Sequence, residues 1–375
     1  MKILLAPDKF RGSLDARQVC EAMTAGIRLV SESIEAISLP MADGGEGTLD
    51  LLLWYSGGRK ISTQVYDPLG RIIEAEFGVS SDNKTAFIEM ATASGLSLLK
   101  PEERNPLLTN TYGTGQLIKA AMALGVENII MGIGGSATND AGTGMAYALG
   151  WKFLDIGGQE IVPTGDNLSL IKNIIPSPLA SQLPRFQVAC DVTNPLYGKN
   201  GAAYIYAPQK GASERDVLQL DKGLKDFSQI TGLPEGNFQT AGFGAAGGLG
   251  FGSVFFLNAQ LQEGVKLLMD FCHFKDKLKG VDLIITGEGK IDQQTLQGKL
   301  INGITDEANK LNIPVAALCG TLSVSPQEMQ QMGIIYAASI LNHPQALAEA
   351  LNNAYAGVRD TTFYLVNLLC RTYPN

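Results

Sequence analysis

The feature that most constrains this chain's fold is a strand–helix alternation that occupies both ends and lapses in the middle. Near the start, Ile3, Leu4 and Leu5 make a short apolar run suited to a buried strand. Val19, Met23, Ile27 and Val30 then recur at helical spacing. Asp15 followed by Gln18 has the form of a capping box at that helix start. A second strand is expected over residues 35–39 and a second helix over 45–56, with Gly57-Gly58 as its left-handed cap. From about Asn258 the alternation returns. Strands are expected at 281–286, 315–318 and 335–340, with helices between them and a long helix after Pro344.

The middle reads differently. Residues 60–79 alternate around Asp67-Pro68-Leu69-Gly70, a strong turn signal, and Asp82-Asn83 marks another turn before a strand at 86–90. That pattern fits an antiparallel meander. A helix at 113–124, a strand at 128–133, a helix near 139–149 and a strand at 186–190 follow. The expected fold is therefore α/β. Residues 1–58 and 259–375 form one open parallel sheet, and a mixed α/β domain, 59–258, is inserted between them. A chain of 375 residues is long enough for two cores.

Hydrophobic residues make up 45% and charged residues 18%, which excludes a disordered chain. The net charge of −8 disfavours nucleic acid and anionic membranes as partners, since both attract basic faces. No apolar run approaches the ~20 residues of a membrane span. The opening apolar stretch is interrupted by Asp8, too early for a signal peptide. Cys20, Cys190, Cys272, Cys319 and Cys370 are odd in number and widely spaced, which points to a reducing compartment, the cytoplasm.

Carboxylates recur beside glycine at strand ends. Asp8 follows the first strand, and Asp43 follows the second in Asp43-Gly44-Gly45-Glu46. Glu288 follows a later one in Gly287-Glu288-Gly289-Lys290, with Asp292 close behind. In an open α/β sheet the binding crevice lies outside the carboxyl ends of the strands. If the three strands are parallel neighbours, Asp8, Asp43 and Glu288 share that crevice. Magnesium takes one or two carboxylates plus phosphate oxygens, and phosphoryl transfer needs a group to orient or deprotonate the attacking hydroxyl. A single Asp-Gly-Gly is more often only a turn. Three such strand ends in one sheet point to function.

Gly134-Gly135-Ser136 follows a strand and precedes an expected helix, so its amides suit a phosphate. A tight strand-to-helix turn capped by Thr138 or Asn139 explains the same residues nearly as well. No Walker lysine follows. The glycine-dense run from Gly242 contains a GxGxxG pattern, but no clear strand precedes it, so a packed loop is favoured over a dinucleotide site. Asp191 and Asn194 sit at another strand end. Lys9, Arg11, Lys210 and Lys299 are candidate cations for a carboxylate or phosphate, although any one lysine is more often a solvated surface charge. With His273 and His343 the only histidines, a histidine-based triad is not expected.

Taken together, these segments resemble the type 1 glycerate kinases. The resemblance is carried by residues 6–14, 42–48, 132–140, 189–196, 208–212, 244–248 and 286–289, in the family's order over nearly the whole chain. It implies ATP- and Mg2+-dependent phosphorylation of D-glycerate, with 2-phospho-D-glycerate as product. It also implies a Rossmann-like domain made from both chain ends, and a site in the cleft beside the inserted domain. Within that expectation Asp43, Arg11 and Asp191 are the catalytic candidates. Asp8, Lys9, Gly134, Gly135, Ser136, Asn139, Asn194, Lys210 and Lys299 are expected to hold substrate or phosphate, and Glu288, Asp292 and Glu46 the metal. The family usually has serine at Lys9, lysine at Arg11, and glycine at Ala141 and Ala207. A homo-oligomer is compatible with this reading. Two rival readings are a nucleotide-dependent oxidoreductase using the Gly242 run and a non-catalytic metabolite-binding relative.

Overall fold

The computed structural model describes residues 1–42, 47–292 and 299–372, except for the side chains of Lys299 and Thr372. Asp43 and Glu46 lie outside the described residues. The chain divides into two compact units, 1–51 with 265–375 and 52–264. The junctions expected near 59 and 258 thus fall at 51/52 and 264/265.

The first unit opens with β1 (Lys2–Leu5), the helix Ala16–Val30 and β2 (Glu35–Ser38). The helix starts where the sequence says it should. Asp15 Oδ1 accepts from the backbone N–H of Arg17 and Gln18 at 2.8 and 2.9 Å, and Gln18 Oε1 accepts from Asp15 N–H at 2.9 Å. Its apolar stripe, including Val19, Met23 and Ile27, is buried. Gly26 lets the long C-terminal helix Ala354–Thr372 cross closely, because a Cβ there would stand 2.3 Å from Arg359 O.

In the second unit, β3 (Arg59–Tyr66) and β4 (Ile72–Val79) form the hairpin expected around Asp67–Gly70. β5 (Thr85–Glu89) pairs antiparallel with β4 and parallel with β6 (Asn128–Gly132). A small antiparallel pair, β7 (Lys152–Leu154) and β8 (Asn173–Ile175), stands apart. β9 (Arg185–Ala189) and β10 (Gln260–Gln262) complete the main sheet, whose order is β10-β9-β6-β5-β4-β3. Its core is a continuous apolar cluster that includes Val79, Ile118, Met131, Phe153, Phe227 and Phe251.

The chain then returns to the first unit with β11 (Leu283–Ile291), β12 (Val315–Leu322) and β13 (Ile334–Ser339). The sheet order is β13-β12-β11-β1-β2, all parallel. β11 is longer than expected. It runs on through Gly287-Glu288-Gly289, so Glu288 lies inside the strand, opposite Cys319. Gly287 makes this possible, since a Cβ there would meet Leu318 O at 2.4 Å.

The expected helix near 139–149 is also corrected. It begins only at Thr143 and ends at Ala148, because Ala141 (φ 53°) and Gly142 (φ 72°) are left-handed. Ala141 therefore occupies a conformation that costs a non-glycine residue about 1–2 kcal/mol. Ala141→Gly should stabilise the protein by up to about 1 kcal/mol in chemical denaturation, the relief being partly offset by a freer unfolded chain. Ala207, with φ −69°, carries no such strain.

Candidate functional site

In the first unit the strand order makes β2, β1 and β11 parallel neighbours. Asp8 N–H donates to Gly287 O at 2.8 Å, continuing the β1–β11 ladder and setting Asp8 beside Glu288 in register. Asp8 is buried, and its Oδ1 accepts from Lys9 N–H at 2.6 Å. Met41 N–H donates to Pro7 O at 2.8 Å, so the segment leading to residue 43 runs alongside the exit of β1. The backbone N of Arg11 abuts the other side of β11, 3.3 Å from where a Gly289 Cβ would be. Lys290 Nζ pairs with Asp292 Oδ2 at 2.7 Å. Asp8, Lys9 and Arg11 therefore follow β1 alongside Glu288 of β11, and Asp292 lies just past the end of β11. Lys299 opens the helix Lys299–Asn309.

In the second unit the site is built on the turn after β6. Gly134 and Gly135 are exposed, while Ser136 is buried. The turn is pinned from behind. Leu96 N–H donates to Gly135 O at 2.8 Å, Ala137 N–H donates to Ser94 O at 2.9 Å, and Thr109 Oγ1 donates to Ala137 O at 2.8 Å. Gly135 has φ 71°, which explains its glycine. Gly134 is different. Its φ is not in the left-handed range, and a Cβ built there meets nothing within 4 Å. Neither backbone conformation nor packing among the described residues requires glycine at 134.

Lys210 closes the inner side. The short helical turn Pro208–Lys210 is ended by Gly211 in a left-handed conformation (φ 97°), packed against Arg104 O. The Lys210 side chain points inward and is only 2% exposed. Its Nζ donates to Ser136 Oγ and to Thr138 O, both at 2.7 Å. Burial pushes the ammonium down to about 7, against the charge of Asp140, which favours protonation. The common fate of a lysine, a solvated surface charge, does not apply here.

Asp140 is fully buried. One of its oxygens, Oδ2, accepts from Thr111 Oγ1 (2.7 Å), Thr111 N–H (2.8 Å) and Gly144 N–H (3.0 Å), and Oδ1 accepts from Gly142 N–H (3.3 Å). Burial raises its pKa, while these hydrogen bonds pull it down. Next to it, the Thr138 hydroxyl and both polar atoms of the Asn139 amide are buried without a hydrogen-bond partner among the described residues. Buried polar atoms are normally paired, so these atoms are candidates to meet a polar ligand or ordered water.

β9 is the parallel neighbour of β6, with Ala189 opposite Gly132, so Asp191 and Asn194 leave the sheet beside the Gly134 turn. Asp191 Oδ1 accepts from Gly264 N–H at 3.2 Å. The Asn194 amide donates to Asn200 O at 2.8 Å and accepts from Tyr206 Oη at 2.6 Å. The Gly242 run packs on the segment that follows the Gly134 turn. A Cβ at Gly247 would lie 2.0 Å from Thr138 O, and one at Gly252 would lie 2.2 Å from Ala141 O. Its glycines serve the protein's own backbone.

Thr111, Asp140 and Tyr206 are not singled out by the sequence, and Thr138 is weighed there only as a helix cap, a place that Gly142 takes in the structure. Asp140 carried a weak signal, an acid closing the Gly132–Asp140 segment. Thr111 and Tyr206 carried none, because their partners are remote in sequence.

The two units are an α/β pair, one with an all-parallel sheet carrying Asp8 and Glu288 on adjacent strands and one with a mixed sheet carrying the Gly134-Gly135-Ser136 turn after β6. A family model described as the glycerate kinase family matches residues 3–370. A glycerate kinase of Bacillus cereus is 42% identical, covering 96% of each chain. A glycerate 2-kinase of Escherichia coli is 41% identical, covering 96% of this chain and 95% of that one. A crystal structure described as glycerate kinase 2 of Salmonella typhimurium superposes with a TM-score of 0.90 at 40% identity, over 99% of both chains. This chain belongs to the glycerate kinase family and is a kinase. A kinase family implies a nucleotide substrate. Among the described residues, no helix is long and apolar enough to cross a membrane, and none of the five cysteines is bonded to another.

Proposed function

We propose that this kinase transfers the γ-phosphoryl group of ATP, with Mg2+, to the 2-hydroxyl of D-glycerate, giving 2-phospho-D-glycerate and ADP in the cytoplasm. The family membership supports the substrate, and the relative named as a glycerate 2-kinase supports the position. The observation that carries the reading is the exposed Gly134, whose glycine no neighbour among the described residues needs, beside the anchored Ser136. Such a turn leaves room for an anionic group to approach bare amides.

The donor set suits magnesium. Asp8 and Glu288 offer hard oxygens from adjacent strands, and Asp292 follows at the end of β11. In the described residues no group of three or more such side chains forms a cage. Magnesium bound to a nucleotide needs only one or two carboxylates. Glu288 and Asp292, with Glu46 outside the described residues, would hold the ion, which neutralises charge on the phosphates. Asp43 takes the proton of the attacking hydroxyl. Arg11 and Lys299 neutralise the substrate carboxylate or the transferring group, and Lys9 and Asp8 shape that pocket. Asp191 and Asn194 position hydroxyls, and Asn139 adds a polar wall.

Gly134→Ala tests the turn. The fold should be unchanged within ~0.5 kcal/mol, as expected for a surface change. The KM for glycerate or ATP should rise about ten-fold, the low end of the penalty for an added methyl in a filled site. ADP release coupled to NADH oxidation, with D-glycerate, ATP and Mg2+, tests the function itself. Turnover requiring all three is expected. Nicotinamide binding without ATP binding would support the oxidoreductase reading instead, and ligand binding without turnover would support a non-catalytic relative.

A further inference from the structure

We propose that Lys210 is a positioning residue that does not touch the substrate but fixes Ser136 as a hydrogen-bond donor to an anionic oxygen, carboxylate or phosphate, held at the Gly134-Gly135 turn. This rests on the reading of that turn as the place where an anionic group of glycerate or the nucleotide is received.

An ammonium has three N–H donors and no acceptor, and a serine hydroxyl has one donor and two lone pairs. Lys210 Nζ spends two donors on Ser136 Oγ and Thr138 O, both at 2.7 Å. Ser136 Oγ is therefore an acceptor toward Lys210, and its own O–H must point elsewhere. Ser136 sits next to the exposed Gly135, so the open side of the turn is where that proton is offered. A donor aimed at an anion is among the stronger hydrogen bonds. With Lys210 only 2% exposed, contact with a ligand in the turn is left to Ser136.

The arrangement depends on the charge of Lys210. A neutral amine has a lone pair and can accept the serine proton, which turns the O–H inward and removes the donor from the turn. One charged residue acts on Lys210. Asp140, from the segment after β6, favours the ammonium. Arg104 packs its backbone and Cβ on the neighbouring Gly211. Burial opposes the ammonium and brings its loss to about pH 7, inside the working range of a cytoplasmic enzyme. Anion affinity at the turn should therefore fall as pH rises from 6 to 9.

The test is calorimetric binding of D-glycerate and of ATP, each alone, at pH 6 and pH 9. In the wild-type protein, one of the two ligands should bind about ten-fold more weakly at pH 9, as expected from losing a hydrogen bond to a charged group. Which ligand responds tells whether carboxylate or phosphate occupies the turn. Ser136→Ala should bind that ligand about ten-fold more weakly at pH 6 and lose the added pH dependence. Ser136→Thr, which keeps the hydroxyl, should restore both. Lys210→Met should match Ser136→Ala, and the double variant should be no worse than either single one. Titration of the ligand itself is common to all variants and cancels in the comparison. If Ser136→Ala keeps wild-type affinity for both ligands, or keeps the wild-type pH ratio, the inference is overturned, even if Lys210→Met fails to fold. Turnover of D-glycerate is scored separately, so failure of the kinase reading leaves this binding result interpretable.

Discussion

Asp43→Asn should reduce kcat by at least ~100-fold, the low end of what a positioned general base contributes, with the protein still folded. Asp43 follows β2 by five residues, and β2 is the parallel partner of β1. Met41 N–H bonds Pro7 O at 2.8 Å, so the chain that delivers Asp43 leaves the sheet next to Asp8. On the other side of β1, β11 brings Glu288 to the same level. A hydroxyl attacking a phosphoryl group must lose its proton, and an amide in place of the carboxylate cannot accept it at neutral pH. Because Asn keeps size and polarity, KM for both substrates and the melting temperature should move little. The loss should thus fall on kcat and on kcat/KM together, the signature of an interaction made in the transition state. Steady-state kinetics with purified variant and wild type checks this, and near wild-type turnover would remove Asp43 from the mechanism.

Asp140→Ala should destabilise the second unit by about 3–5 kcal/mol, the range for removing one partner from a buried charged network. The carboxylate receives Thr111 N–H, Thr111 Oγ1, Gly142 N–H and Gly144 N–H, all in a fully buried setting. An alanine leaves the three backbone donors orphaned, each costing about 1–3 kcal/mol, and leaves the Lys210 ammonium without its counter-charge. Thr111 Oγ1 also accepts from Met145 N–H at 2.8 Å, so the loss spreads to the start of the helix Thr143–Ala148. Against a typical total stability of ~5–15 kcal/mol this is a severe loss. Urea denaturation of the wild type and the variant measures it. A change below ~1 kcal/mol would mean that this hydrogen-bonded cluster does not hold the turn. Asp140→Asn should cost less, since one acceptor oxygen survives. It should also move the loss of the Lys210 proton to lower pH by removing the neighbouring negative charge.

Much of the architecture was readable because local signals agreed with the global fold. The box Asp15/Gln18, the stripe Val19–Met23–Ile27 and the turn Asp67–Gly70 each specify their element with residues close in sequence. The misreadings came from glycine and from distance. Gly287 and Gly289 read as a loop, yet β11 runs through both, and Gly287 lets it lie close against β12. Alanine at 141 conceals a left-handed backbone that only the family's usual glycine there hints at; in that conformation Ala141 N–H donates to the remote Gly247 O at 3.0 Å. Lys210 looked like an ordinary loop lysine. Its burial depends on Ser136, 74 positions away, and no local pattern encodes that pairing. The same holds for Thr111 and Asp140.

The proposed activity is phosphorylation of D-glycerate on its secondary hydroxyl. Proton-coupled 31P NMR of a reaction containing D-glycerate, ATP and Mg2+ tests it most directly. Phosphate on C2 has a single proton on the bonded carbon, so a new phosphomonoester doublet should grow as the ATP γ-phosphate signal declines. A triplet, from phosphate on the terminal CH2, would contradict the position, and loss of γ-phosphate to inorganic phosphate alone would contradict the transfer.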